Sequence, residues 1–147
     1  MKKLLLILML LLFSTPCFSA GVGYINYEKV ASEYKYAQVS MREIELKGRE
    51  IENYLKVKEA EFNKLETPLQ KQKFQETVQA ELKTKENTFN DFRNKREEDV
   101  YKKIYAVAEK IRLEKELDVL IDARGVFSGG VDITDTLINR LNANVRW

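Results

Sequence analysis

The sequence predicts an α+β chain, mostly α, in which a long antiparallel coiled-coil hairpin projects from a small β body shared between subunits. Three observations lead there. Between Tyr24 and Arg124 the only glycine is Gly48 and the only proline is Pro68, whereas Gly21, Gly23, Gly125, Gly129 and Gly130 crowd the flanks. Inside that stretch apolar residues recur in steps of four and three, the pattern of paired helices. Short runs rich in β-branched and aromatic residues stand at both ends, as strands require.

Residues 1–19 read as a secretory signal. Lys2 and Lys3 precede an apolar run from Leu4 to Phe13, then Ser14-Thr15-Pro16-Cys17-Phe18-Ser19-Ala20 supplies the small-residue exit. Cleavage is expected between Ser19 and Ala20, which sets Cys17 and Ser19 at the two recognition positions; cleavage after Ala20 would put bulky Phe18 in one of them. The mature chain then has 128 residues, 23 basic and 23 acidic side chains, and neither cysteine nor histidine. That composition leaves no disulfide and no thiol redox chemistry. It also removes Ser-His and Cys-His catalysis and His-ligated zinc.

Val22-Gly23-Tyr24-Ile25-Asn26-Tyr27 reads as the first strand, so residues 20–31 open the body. The arm follows over residues 32–116. Val30, Tyr34, Ala37, Met41, Ile44, Gly48, Ile51, Leu55, Lys58, Phe62, Leu65 and Leu69 keep the heptad step without a slip. The first arm, Ser32 to Glu66, would run about 50 Å at 1.5 Å per residue. Pro68 lacks a backbone donor and disfavours helix at Thr67, so the tip is expected at Thr67, Pro68 and Leu69. The return arm repeats the seam less strictly through Val78, Leu82, Lys85, Phe89, Phe92, Arg96, Val100, Ile104, Val107 and Ile111. Folding at the tip sets Phe62 opposite Phe74, Leu55 opposite Leu82 and Tyr34 opposite Ile104, the near-constant number sum of an antiparallel hairpin. Lys58, Lys85 and Arg96 put charge on the seam, which should make it soft.

Residues 117–147 complete the body. Leu117-Asp118-Val119-Leu120-Ile121-Asp122 reads as a strand, Ala123-Arg124-Gly125 as a turn and Val126-Phe127-Ser128 as a third, short strand; Asp132 or Thr134 then caps a last helix containing Leu137, Ile138 and Leu141. Three small strands and one short helix bury too little apolar surface to stand alone. Sharing the body between subunits, through Tyr24, Ile25, Val119 and Ile121, solves that.

The strand ending Gly23-Tyr24-Ile25-Asn26-Tyr27-Glu28-Lys29-Val30, the charged hairpin, Leu117-Asp118-Val119-Leu120-Ile121-Asp122-Ala123-Arg124-Gly125-Val126 and the ending Val131-Asp132-Ile133-Thr134-Asp135 together resemble the Skp/OmpH family of periplasmic chaperones. The resemblance covers essentially all of the mature chain. It implies a periplasmic homotrimer whose strands join in one body and whose three hairpins enclose a cavity for unfolded outer-membrane proteins, without ATP or any other cofactor and without enzymatic activity.

One departure limits what carries over. The best-known members are strongly basic, whereas residues 28–66 hold 8 basic and 9 acidic side chains, 67–116 hold 12 and 10, and 117–147 hold 3 and 4. No segment offers a strong electrostatic footprint. Lipopolysaccharide or membrane contact is therefore not carried over, and no nucleic-acid partner is expected. Asp118 and Asp122 share a strand face, yet a solvated face or subunit contact explains them better than paired catalytic carboxylates. Asp132 to Asp135 lacks the spacing of a calcium loop. Off the seam, Tyr36, Val39, Leu46 and Val57 are the candidate client contacts. The competing reading is an exported structural or adaptor coiled coil bridging cell-envelope components, which would bind one folded partner stoichiometrically.

Overall fold

A computed structural model describes residues 21–143. The expected signal peptide and the last four residues lie outside that range. Strand β1 (Val22–Ile25) leads into helix α1 (Tyr27–Glu33), then α2 (Lys35–Phe62), α3 (Pro68–Glu114), β2 (Val119–Asp122), a 3-10 turn (Ala123–Gly125), β3 (Val131–Asp132) and α4 (Thr134–Ala143). The sheet is parallel throughout with order β2-β1-β3. Tyr24 pairs with Ile121 on one side and Asp132 on the other. Among the described residues no helix is long and apolar enough to cross a membrane.

Two elements depart from the sequence expectation. Helix begins at Tyr27, inside the segment expected as body, because the Asn26 side chain accepts the Lys29 N–H at 2.9 Å and caps it. The first arm is then broken at Tyr34, which takes an extended conformation (φ −76°, ψ 111°) and turns its ring into the core. The third strand is Val131–Asp132, not Val126–Ser128. Gly129 and Gly130 stand at φ +80° and +87°, reversing the chain so that residues 131 and 132 reach β1. A side chain at Gly130 would also meet the Val22 carbonyl oxygen and the Tyr24 ring, each at 3.2 Å.

The turn itself is residues 63–67, so Pro68 and Leu69, expected at the tip, already belong to α3, and Leu65 lies in the turn and not on the first arm; Pro68 starts the return helix in place of centring the bend. The Thr67 hydroxyl accepts the Gln70 N–H, the Gln70 side chain accepts the Thr67 N–H, and Pro68 occupies the first helical position. From there α3 runs 47 residues without interruption, about 70 Å at 1.5 Å per residue. Its root carries the core. Val100, Ile104, Ala108 and Ile111 are buried with Val30, Tyr34, Ile133 and Leu137.

The arms meet in antiparallel register. The Phe62 and Phe74 rings lie 6.2 Å apart, the Tyr54 hydroxyl donates to Glu81 at 2.5 Å, and a side chain at Gly48 would face Phe89 at 3.9 Å. The seam is not apolar along its length, however. Met41 and Leu55, expected on it, are 55% and 41% exposed. Charge takes their share: the Lys58 and Lys85 ammonium groups sit 5.7 and 4.7 Å from the Tyr54 ring centre, and Arg96 pairs with Glu43 across the arms at 2.5 Å. Such contacts tolerate water where interdigitated apolar side chains exclude it. Even so, replacing Leu55 and Leu82 together by cysteine should give an intramolecular disulfide on oxidation, because the residues occupy facing positions. A pair such as Leu55→Cys with Asn90→Cys, two helical turns away, should not close; the reverse result in a mobility-shift gel would place the fold-back elsewhere.

Candidate functional site

Helix α2 carries the expected contact residues, and its geometry sorts them. At about 100° per residue, Val39, Leu46 and Val57 fall within about 20° of one another on a straight helix. They form one stripe spanning about 27 Å along the axis. Leu46 and Val57 are 53% and 55% exposed, and Val39 is half-buried. Tyr36 lies apart from them. Its hydroxyl donates to Asp99 on α3 at 2.5 Å, its ring stands 6.0 Å from Tyr34, and it packs on the core. Three heptads separate Tyr36 from Val57, and a straight α-helix drifts about 20° per heptad, so a shared heptad letter does not keep them on one row. Asp99 holds the Tyr36 hydroxyl proton and raises its pKa above the ordinary tyrosine value.

At the tip, Thr67 and Pro68 serve as helix cap and first residue, and Leu69 is exposed. At the head, strand alternation divides the four body residues. Ile25 packs on the core with Leu120, while Tyr24, Val119 and Ile121, with Val22, occupy the alternate positions of β1 and β2. That outer face is apolar and uncovered in one chain: Val119 is 43% exposed. Beside it lies a cavity of about 530 Å³ lined by Ile25, Tyr27, Tyr101, Tyr105, Val119 and Ile121. Tyr101 and Tyr105 stack 6.2 Å apart and Phe127 is fully exposed. The sequence reading missed all three as surface residues. Tyr101 and Tyr105, one turn apart, were legible as a pair pointing off the seam.

A second, larger hollow of about 830 Å³ lies at the root between α1, α2 and α3. Arg42, Arg96 and Arg124 line it with Glu28, Glu45 and Glu97, so its walls carry balanced charge over an apolar floor of Met41, Ile44 and Val100. The candidate carboxylates are occupied structurally. Asp118 accepts the Gly21 N–H at 2.7 Å; Asp122 accepts both the Arg124 guanidinium and its backbone N–H, which hold its carboxyl below the usual range. Asp132 accepts the Thr134 N–H and hydroxyl at the start of α4, while Thr134 in turn accepts the Asn26 N–H.

A family model described as Outer membrane protein (OmpH-like) matches residues 21–141. Among solved structures, the chain is similar to the crystal structure of a "putative outer membrane chaperone (OmpH-like)" from Caulobacter crescentus CB15, with 16% identity over 89% of this chain and 88% of that one and a TM-score of 0.42. No curated protein matches the sequence. With the family model spanning all three strands of the head, the whole hairpin and most of the last helix, the chain belongs to the OmpH-like family.

Proposed function

We propose that this protein is a periplasmic holdase chaperone that works without ATP, a homotrimer that captures unfolded outer-membrane proteins between its arms. The observation that carries the reading is the Val39, Leu46 and Val57 stripe on an arm with balanced charge. An unfolded chain offers no fixed shape, so many small apolar contacts spread along an arm can retain it where one pocket cannot. The trimer is supported by the head. A parallel sheet is ordinarily covered on both faces, and here only one face meets the core. Export follows from the signal read in residues 1–19.

The test is aggregation of an outer-membrane barrel protein diluted from urea, with the mature protein present at one trimer per client. Wild type should suppress it with little salt dependence, since no strong net field contributes. Leu46→Ser with Val57→Ser should keep helicity and mass while weakening retention by about 1–3 kcal/mol, the transfer value of the apolar area lost. Normal retention by the double variant would remove the stripe from the client face. Abolition of wild-type binding by modest salt would transfer capture to charge. An adaptor would leave the aggregation unaffected and bind a folded partner instead.

A further inference from the structure

The two helices of the hairpin are held very unequally. Helix α3 buries Val100, Ile104, Ala108 and Ile111 in the head, whereas all 28 residues of α2 bury only Ser40 and Ile44, and the Ser40 hydroxyl has no partner. A buried hydroxyl without a hydrogen bond subtracts from what the burial contributes. Across the arms α2 is tied by polar contacts, Tyr36 to Asp99, Glu43 to Arg96 and Tyr54 to Glu81, beside the Phe62–Phe74 ring pair near the tip. It is the weaker member of the pair.

At its root α2 has no cap of its own. Tyr34 occupies the cap position with no side-chain hydrogen bond to offer, and the first-turn amides of a helix have no partner within it. Asn142 on α4, distant in sequence, supplies what is missing. Its Oδ1 accepts the Lys35 N–H at 2.9 Å and its Nδ2 donates to the Glu33 carbonyl at 3.0 Å. One amide side chain thus satisfies the end of α1 and the start of α2 together, on either side of the extended Tyr34. Helix α4 is itself seated by the buried Leu137 and Leu141 and by the ion pairs Lys29 to Asp135 at 2.7 Å and Arg140 to Glu114 at 2.6 Å.

We propose that Asn142 makes α4 a latch on the root of the hairpin: with the latch closed the first turns of α2 lie along α3, and with it open that root of α2 swings away from α3 about Tyr34, while α3 stays fixed in the head and the far end of α2 stays tethered to it through residues 63–67. In the chaperone reading that swing widens the space for a client, a consequence that rests on that reading; the latch itself is measured with no client present, so the two can fail separately.

Residue-resolved amide hydrogen exchange on the full mature protein tests it. Asn142→Ala should speed exchange about tenfold across Lys35 to Ile44, the scale of a lost helix cap, with Val100 to Ile111 unchanged. Asn142→Asp keeps an acceptor for the Lys35 amide but no donor for the Glu33 carbonyl, and should fall between. It also carries the test alone if the alanine variant does not fold. Asn139→Ala, exposed on the same helix, should match wild type. An equal rise at Val100 to Ile111 would mean that Asn142 merely stabilises the head, and unchanged exchange over Lys35 to Ile44 would mean that it holds nothing; either result overturns the latch.

Discussion

Ile111→Ala should lower the unfolding free energy by about 2–5 kcal/mol, the range for deleting a buried Ile side chain and leaving its space unfilled. Ile111 is fully buried where the last turn of α3 meets the head, in one cluster with Val30, Ile133 and Leu137. Those neighbours come from α1, from the residue after β3 and from α4, so the cavity opens at the one place where most of the chain converges. Against a total stability of about 5–15 kcal/mol, that is a large share. The contrast is Leu69→Ala at the tip, where the side chain is already solvated and the cost should stay within about 0.5 kcal/mol. Both are read from denaturant unfolding at one fixed protein concentration, since assembly would add a concentration term. Equal costs at the two ends would show that the hairpin, not the head, supplies the cooperative core.

What the sequence revealed and what it hid divide by range. The heptad step and the Thr67-Pro68 break are local, because a helical period and a missing backbone donor are properties of neighbouring residues. The break at Tyr34 is not local: an extended residue inside a helical pattern is tolerated because Asn142 satisfies both broken ends from more than a hundred positions away. Val131–Asp132 is a strand because β1 offers it parallel bonds, and nothing in the dipeptide announces that. Val126-Phe127-Ser128 has the composition of a strand but no pairing among the described residues. Among the contact residues, Val39, Leu46 and Val57 were legible as off-seam positions, whereas Tyr36 was diverted by a hydroxyl bond to Asp99 that periodicity cannot express.

That unpaired segment leads to the second large effect. In the trimer proposed above, Phe127→Asp should favour the monomer, raising the dissociation constant by about 30-fold to 1,000-fold, as expected where an aromatic anchor at an interface contributes about 2–4 kcal/mol. Phe127 is fully exposed in the single chain, and its segment leaves the sheet just after β2, whose outer edge has no partner strand among the described residues. An open edge, a β-prone segment without a mate and an uncovered apolar sheet face on the same small head would complement one another if copies met head to tail, an arrangement that gives a ring where the rotation closes. The aspartate would have to be buried without a counter-charge, so it opposes assembly more strongly than alanine would. Light scattering over a dilution series reads the change, with Leu69→Asp as the control because it adds the same charge at the far end of the arm. If Phe127→Asp keeps the trimer mass, this residue is outside the interface. If wild type is itself a folded monomer that resists dilution, the head is not shared at all, and its outer face must be covered by something other than a second copy.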